Sequence, residues 1–230
     1  MTSHIQQQHL AVNLQQLTNL LQSASNIPLP EDLFNLITQA KDSLTCLQVD
    51  LLYKQAITQG VWDFFPTPHA LIQKMMSLAQ IQPGMKVLEP SAGLGHICQE
   101  IRKLGVEPDC FEIAPILHQA LTLQGFNVIG QDFINSSPTA VYDRILANPP
   151  FSRNGIARHT LVALDWLRPG GRLVTVAHHY QLKPSSTDRA FFQWLKGFDT
   201  QFYDCGQAFQ NSARPCNTSI QLIVINKPRW

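Results

Sequence analysis

The stretch Leu88-Glu89-Pro90-Ser91-Ala92-Gly93-Leu94-Gly95-His96 joins a short apolar run to a helical pattern. Gly93 and Gly95 lack side chains where the backbone must bend sharply and approach a ligand closely. In open parallel sheets ligands bind beyond the carboxyl ends of the strands, so we predict a ligand site at this turn. A dinucleotide-binding turn would carry a third glycine, which is missing here. A plain connection between a strand and a helix is the alternative.

Around this turn, short apolar runs alternate with helical patterns after residue 60, which is typical of a mostly parallel sheet flanked by helices. We predict strands near residues 86–89, 109–112, 127–129, 143–147, 172–177, 200–204 and 218–226. We predict helices over about 69–80, 96–104, 115–123, 157–167 and 187–196. The last two strands are expected to pair as a hairpin. The pattern therefore indicates one α/β domain with a seven-stranded sheet.

A later strand-like run, Arg144-Ile145-Leu146-Ala147, is followed by Asn148-Pro149-Pro150-Phe151. Such a strand end presents a side-chain amide oxygen, a backbone carbonyl and a ring face at one point. This combination suits a planar group that carries an NH2. A strand closed by a rigid Pro-Pro turn, with no ligand, is the alternative.

Two acidic residues follow the predicted second and third strands. Glu112, which precedes Ile113, is placed to accept hydrogen bonds from both ribose hydroxyls of a nucleoside. Asp132 is placed to accept from an adenine amine, and Phe133 to pack on the adenine ring. Either acid alone is more often a helix cap or a solvated loop residue, but their order after the glycine turn favours binding.

The segment Asp63-Phe64-Phe65-Pro66-Thr67-Pro68-His69 precedes the first predicted helix of the α/β domain. Thr67 is a good N-cap, with Pro68 at the first helical position. Helix capping alone would explain this pair without a ligand.

In this order, these motifs resemble the S-adenosylmethionine-dependent amino-methyltransferases, and most closely those that methylate the exocyclic amine of adenine in DNA. The resemblance covers about residues 60–226. It implies the Rossmann-like class I methyltransferase fold, in which the last strand runs antiparallel inside the sheet. It also implies S-adenosylmethionine as the cofactor and site-specific DNA adenine N6-methyltransferase activity.

The resemblance also implies a set of cofactor contacts. The segment before the first helix would fold over the methionine end, with Phe65 or Thr67 touching it, and Glu89 would attract the cationic methionine group. The predicted cofactor site comprises Phe65, Thr67, Glu89, Ser91, Ala92, Gly93, Gly95, Glu112, Ile113, Asp132, Phe133 and Asn148.

Methyl transfer from a sulfonium is an in-line displacement, so positioning of the acceptor nitrogen and exclusion of water carry most of the rate. Asn148 Oδ1 and the Pro149 carbonyl would accept hydrogen bonds from the amine and stabilise its developing positive charge. Phe151 would stack on the base, a contact worth about 1–3 kcal/mol. A base in a duplex would have to be flipped out. The predicted catalytic residues are Asn148, Pro149, Pro150 and Phe151.

Further substrate contacts are predicted outside this motif. His178, His179 and Tyr180 follow the predicted fifth strand, where they would line the target pocket. Arg214 lies in a polar loop before the last strand, where it would contact a phosphate or simply face solvent. A His pair is a weak metal signal, and no metal site is expected. We therefore predict Phe151, His179, Tyr180 and Arg214 as substrate-binding residues.

The net charge of +1 conceals an asymmetry along the chain. Residues 1–150 hold 7 Lys and Arg against 12 Asp and Glu, whereas residues 151–230 hold 10 against 4. The two parts therefore carry −5 and +6. A positive C-terminal part beside the Asn-Pro-Pro-Phe strand end favours a polyanionic partner, although solvated surface charge explains it equally well.

The composition is ordinary for a globular α/β protein, with 44% hydrophobic and 14% charged residues. The five cysteines form no C-x-x-C pair, so neither a zinc site nor a disulfide framework is indicated. Neither a membrane span nor a secretory signal is recognisable, and we expect a cytoplasmic protein that does not bind membranes.

The chain is predicted to divide into an N-terminal helical extension, residues 1–60, and a methyltransferase domain, residues 61–230. The extension has an apolar helical pattern and no Lys or Arg before Lys41, so it is a poor phosphate-binding arm. Packing on the catalytic domain, or a homodimer contact, is expected instead.

Only about 80 residues follow the Asn-Pro-Pro-Phe motif, which leaves little room for a target-recognition domain. Specificity is therefore relaxed, or an accessory subunit or the N-terminal helices contribute to it. The same motif occurs in enzymes that methylate base amines of ribosomal RNA or glutamine side chains of proteins. A non-catalytic binding subunit that keeps the fold is the alternative from another class.

Overall fold

The computed structural model describes residues 12–13, 16–23, 30–61, 63–179 and 186–229. It divides into two compact units, Met1–Val61 and Trp62–Trp230. Parts of the predicted N-terminal helical extension, and Tyr180 of the predicted target pocket, lie outside the described residues.

The first unit is helical in its described part. Helix α1 (Glu31–Thr58) begins with two acidic residues, Glu31 and Asp32. Their negative charges interact favourably with the positive N-terminal end of the helix dipole. Residues 16–23 are also helical, and Leu21 packs against Leu44 and Leu51 of α1. Among the helices that the structure describes, none is both long and apolar enough to cross a membrane.

The second unit contains a seven-stranded sheet with helices between its strands. In chain order its elements are α2 (His69–Ala79), β1 (Val87–Glu89), α3 (His96–Arg102), β2 (Asp109–Phe111), α4 (Pro115–Leu123), β3 (Asn127–Gly130), β4 (Tyr142–Ala147), α5 (Gly155–Trp166), β5 (Leu167–His178), α6 (Ser186–Leu195), β6 (Asp199–Gly206) and β7 (Ile220–Asn226).

The strand order in the sheet is β3-β2-β1-β4-β5-β7-β6. Strands β1 to β5 are parallel, while β7 pairs antiparallel with β5 on one side and with β6 on the other. This arrangement confirms the predicted fold class and the terminal hairpin. Because parallel strands end at one edge, the residues after β1, β2, β3, β4 and β5 lie along the same edge of the sheet.

The central strands of the sheet are buried on both faces, and their successive residues enter different cores. In β7, Ile223 and Ile225 pack with α5 and α6, whereas Leu222 and Val224 pack with α2 and α3. A strand covered on both sides must be apolar at nearly every position, which is why β7 reads as a continuous hydrophobic run. The two cores therefore hold the central strands, and with them the edge of the sheet at which the predicted site lies.

Strand β5 begins five residues earlier than predicted. Tyr142 pairs with Leu167, and the register then shifts before Arg144 pairs with Arg172. Gly170 in between adopts a φ of +77°. The prediction omitted this part because glycine and proline are typical of turns, whereas here they lie in an irregular start of the strand.

Gly95 provides a test of the packing behind the glycine turn. It has a φ of +80°, and a Cβ there would lie 2.8 Å from both Leu121 Cδ2 and Phe126 Cε2. We expect Gly95→Ala to lose about 1–2 kcal/mol from left-handed backbone strain and about 1–3 kcal/mol more from overpacking. The measurement is the free energy of unfolding in urea.

Gly105→Ala is the matched control, since Gly105 has a φ of +72° and open space around its Cβ position. It should show the backbone strain alone. Equal losses in the two variants would contradict the packing argument.

Candidate active site

The glycine turn connects β1 to α3. Gly93 and Gly95 have φ values of +57° and +80°, and Gly95 N donates to Ala92 O at 2.7 Å. A Cβ at Gly93 would lie 3.0 Å from Phe64 Cε2, so the aromatic ring of the upstream segment lies directly against this turn. Ala92 is buried in the core, while Ser91 is half-buried. Ala92 therefore offers a ligand its backbone and not its side chain.

Glu112 joins the glycine turn to the end of β2. Its Oε2 accepts from Gly93 N at 2.7 Å and its Oε1 from Ala114 N at 2.8 Å. The side chain is only 7% exposed, and burial raises its pKa, although these backbone hydrogen bonds oppose the shift. A carboxylate has about four lone-pair positions, so about two remain for ligand hydroxyls. The adjacent Ile113 is 68% exposed and presents an apolar surface beside them.

Glu89, at the end of β1, is 2% exposed. Its Oε2 accepts from Cys98 N in α3 at 2.9 Å, and burial raises its pKa well above the ordinary value. A buried carboxylate near the carboxyl edge would be stabilised by a cationic ligand group, because such a charge offsets the cost of desolvation.

Asp132 is bound to its own loop, and Phe133 lies in the core. Asp132 Oδ1 accepts from the backbone N–H groups of Ile134 and Asn135, at 3.0 and 3.2 Å. Its Oδ2 accepts from Asn135 Nδ2 at 2.7 Å, so this carboxylate caps its own loop.

The Phe133 ring is 3% exposed and packs against the rings of Phe111, His159 and Trp166. The prediction that Phe133 stacks on adenine is therefore wrong, because its faces are covered by the core. Ile113 is the exposed apolar side chain beside the carboxyl end of β2.

Asn148 follows β4 and is held by the upstream segment. Its Nδ2 donates to Phe65 O at 2.9 Å and to Thr67 Oγ1 at 3.0 Å. The Phe65 carbonyl can only accept, so the amide cannot be flipped without losing this bond. Among the residues that the structure describes, none donates to Asn148 Oδ1. The amide therefore presents its oxygen as an acceptor.

A second link joins the same two segments. Asp63 Oδ2 accepts from the backbone N of Ser152 at 2.9 Å and from its hydroxyl at 2.6 Å. The ring of Phe65 is stacked with that of Phe151, with an interplanar angle of 17° and centroids 6.5 Å apart. Phe209 packs edge-on against both rings. The four-residue motif is thus braced from the side of Phe65.

A tight turn follows the motif and leads into α5. Arg153 and Asn154 have φ values of +51° and +58°, and Gly155 N donates to Ser152 O at 2.9 Å. Two central residues with positive φ are the pattern of a type I′ turn. A Cβ at Gly155 would overlap the Pro150 carbonyl oxygen. Glycine at this position therefore allows the turn to pass close beneath the motif.

Arg214 contacts the protein itself. Its Nη1 donates to Phe64 O at 2.7 Å, and its guanidinium lies 4.6 Å from the centroid of the Phe65 ring. The guanidinium thus holds the segment that lies against the glycine turn, and the predicted phosphate contact stays a prediction.

A cavity of about 190 Å³ adjoins Phe151. Its lining residues are Phe151, Arg153, Asn154, Ile156, Ala157, His178, Thr187, Asp188, Phe191 and Phe192. His178 Nε2 lies 3.1 Å from Asp188 Oδ1. His179, which we predicted to bind substrate, is not among the lining residues, and its backbone N donates to Ser219 O at 2.8 Å. Of the predicted pair, His178 and not His179 faces the cavity.

Several residues of this arrangement were missed in the sequence. Asp63, Ser152 and Phe209 have no local signal, because each acts through a contact with a distant segment. The Asn154-Gly155 dipeptide is a recognised turn signal, but here Asn154 is the second central residue of the turn and Gly155 follows it. In the described ranges, no three His, Cys, Asp or Glu side chains come together as a candidate metal site.

The buried carboxylate of Glu89 gives a pH-dependent prediction. Because its pKa is raised in the folded state, its contribution to stability is present below the unfolded-state pKa and is lost as the pH rises. Glu89→Gln does not titrate, so wild type should lose stability relative to Glu89→Gln as the pH rises above about 4.3. Urea unfolding at several pH values measures this difference.

Glu107→Gln is the control, since Glu107 is an exposed carboxylate in an ion pair with Arg102. Curves for wild type and Glu89→Gln that stay parallel from acid to neutral pH would contradict the prediction.

The contacts of Arg214 predict a loss of stability when it is replaced. Hydrogen bonds to charged groups contribute about 1.5–3 kcal/mol, so Arg214→Ala should lower the free energy of unfolding by about that amount. Arg158→Ala, at an exposed position on α5, should change it by less than about 0.5 kcal/mol. If Arg214 served only a phosphate, both variants would be as stable as wild type.

Comparisons with known proteins identify the fold. No family model matches the chain, and no curated protein matches it in sequence. A solved structure described as a modification subunit of a type I restriction enzyme from Vibrio vulnificus YJ016 is similar, with a TM-score of 0.59 and 16% identity over 81% of this chain. The match covers 49% of that subunit, so this chain spans about half of its length.

Two further structures have the same architecture. One is described as an RNA methyltransferase from Pyrococcus horikoshii, with a TM-score of 0.52, 18% identity, and coverage of 71% of this chain and 86% of that one. The other is phosphoethanolamine N-methyltransferase 2 from Haemonchus contortus in complex with S-adenosylhomocysteine, with a TM-score of 0.55, 10% identity, and coverage of 71% and 54%. The second unit of this protein therefore has the Rossmann-like fold of class I S-adenosylmethionine-dependent methyltransferases.

Proposed function

We propose that this protein transfers a methyl group from S-adenosylmethionine to the exocyclic amine of adenine in DNA. The observation that carries the proposal is the oriented amide of Asn148. Both hydrogens of its NH2 are committed to Phe65 O and Thr67 Oγ1, and its oxygen is left as an acceptor. An acceptor held in this way suits an amine that becomes more acidic as its nitrogen is alkylated.

The chemistry requires positioning more than proton transfer. The lone pair of an aromatic amine is delocalised into the ring, which makes the nitrogen a weak nucleophile. Hydrogen bonds from its two N–H groups to Asn148 Oδ1 and the Pro149 carbonyl would draw the nitrogen toward tetrahedral geometry. They would also stabilise the positive charge that develops on it. Bound S-adenosylmethionine supplies the electrophilic methyl group on its sulfonium.

The residues along the carboxyl edge fit this cofactor. Gly93 leaves the space that a Cβ would fill beside Phe64, and Glu112 keeps lone pairs for ribose hydroxyls. Ile113 is exposed at the point where a nucleoside bound by Glu112 would place its purine. The buried Glu89 would attract the cationic methionine group, and Thr67 would lie near the same end.

Phe151 supports an aromatic acceptor. Its ring is half-buried. It contacts the rings of Phe65 and Phe209, and it also lines the cavity to which His178 contributes. A base stacked on Phe151 gains an interaction of about 1–3 kcal/mol, which offsets part of the cost of leaving a duplex. A cavity of this volume suits part of one nucleotide, since pockets for whole drug-sized ligands have about 300–1,000 Å³.

Two observations support a nucleic acid, and the second of them favours DNA. The C-terminal part of the chain is positively charged, with 10 Lys and Arg against 4 Asp and Glu in residues 151–230. The similar Vibrio vulnificus protein is described as a subunit of a restriction enzyme, a class of enzyme that acts on DNA. We propose that a partner or the helical extension contributes sequence recognition.

Asn148→Ala tests the assigned role directly. At saturating cofactor it should lower the rate of methyl transfer by about 10²–10³-fold, which is the effect of removing one transition-state hydrogen bond. Asn127→Ala makes the same change at an exposed site on β3, where the amide bonds Asp109, and should keep wild-type activity. Full activity in Asn148→Ala would remove the basis of the proposal.

The acceptor itself is tested by incorporation of labelled methyl from S-adenosylmethionine. Unmethylated duplex DNA, single-stranded DNA, ribosomal RNA and a protein extract are compared, followed by nucleoside mass spectrometry. N6-methyladenine in DNA is the expected product. Label in ribosomal RNA or in protein glutamine, and not in DNA, would assign the other acceptors that share the motif. A protein that binds no S-adenosylmethionine in calorimetry would be a non-catalytic subunit.

A further inference from the structure

Arg153 combines an unusual backbone conformation with a position at the cavity beside Phe151. It is exposed, it lines the cavity, and its φ is +51°. Glycine adopts this region without steric cost and asparagine tolerates it, but a long side chain does not favour it. The next residue, Asn154, is the ordinary occupant of such a position. An arginine at the first central position is therefore a feature that turn geometry alone does not explain.

The turn fixes where this arginine begins. Ser152 is bound to Asp63, and Gly155 lies against the Pro150 carbonyl, so both sides of the turn are held to the motif. Arg153 Cα is therefore placed two residues from Phe151 by contacts that do not involve its own side chain. A guanidinium mounted there stands at the rim of the space next to the stacking ring.

The other polar groups of the cavity suit an anion held by Arg153. Asn154 and Thr187 offer an amide and a hydroxyl, and His178 offers a ring. The opposing charge is Asp188, whose Oδ1 lies 3.1 Å from His178 Nε2. A guanidinium presents a planar fork of donors that matches phosphate oxygens in pairs.

We propose that Arg153 binds a backbone phosphate of the acceptor strand next to the nucleotide whose base stacks on Phe151. The inference rests on the proposed function and names the group that holds its substrate. Arg153 acts as a positioning residue, since it holds the strand and not the reacting nitrogen.

Arg153→Gly is the decisive variant, because glycine accepts the φ of +51° and leaves the turn intact. Arg153→Lys keeps the charge without the planar fork. Arg158→Ala is the matched control, since it removes an exposed arginine of α5 that does not line the cavity. Urea unfolding should show a cooperative transition for Arg153→Gly, because glycine adopts the φ of +51° without strain.

The measurement is the dissociation constant of a fluorescently labelled, adenine-containing single-stranded oligonucleotide at several salt concentrations, together with KM and kcat for methyl transfer to it. Arg153→Gly should weaken binding by about 10- to 100-fold and raise KM accordingly, with a smaller change in kcat. The slope of log affinity against log salt should decrease by about 0.7, the value for one lost single-strand phosphate contact. Arg153→Lys should keep the slope and lose part of the affinity, and Arg158→Ala should resemble wild type.

The outcomes separate this inference from the proposed function. Unchanged affinity and salt slope in Arg153→Gly, with adenine methylation by wild type, would overturn the phosphate contact alone. Weaker binding by Arg153→Gly, with no methyl transfer to adenine by wild type, would support the contact and overturn the proposed reaction. Wild type that binds no oligonucleotide would overturn both.

Discussion

The two hydrogen bonds donated by Asn148 Nδ2 are the interaction on which the site depends. They join residues 83 and 81 positions apart, since their acceptors are Phe65 O and Thr67 Oγ1. The same bonds set the orientation of the amide and hold the segment before α2 over the glycine turn. Without them the amide oxygen would have no fixed direction. The Phe65 backbone would also lose the hydrogen bond that holds its ring beside Phe151.

Around this interaction the chain uses contacts that brace the loops from outside. Asp63 bonds Ser152 on one side, and Arg214 bonds Phe64 O on the other. Glycine at position 155 permits the close approach of α5 to the motif. The residues that would touch ligands are thus held by residues that do not, and such support keeps donors and acceptors in the geometry that a reaction needs.

Much of the fold was predictable from local patterns. The glycine turn, the continuous apolar run of β7 and the alternation of runs with helical patterns indicated a parallel sheet with a terminal hairpin, and the strand order bears this out. The start of β5 was missed because Gly170 resembles a turn residue. In the site, Phe133 was assigned to adenine on its position after an acid, but its ring is covered by Phe111 and Trp166. Local sequence does not reveal which face of a residue the core covers.

The sequence by itself determined the class of fold and the order of its motifs, because hydrophobic periodicity and glycine placement act over a few residues. Only the tertiary structure decided the orientation of the Asn148 amide, the binding of Arg214 to Phe64 and the position of His178, and not His179, at the cavity. These depend on contacts between segments that lie far apart in the chain. Their geometry follows from how the sheet and its helices bring the strand ends together, which no local pattern encodes.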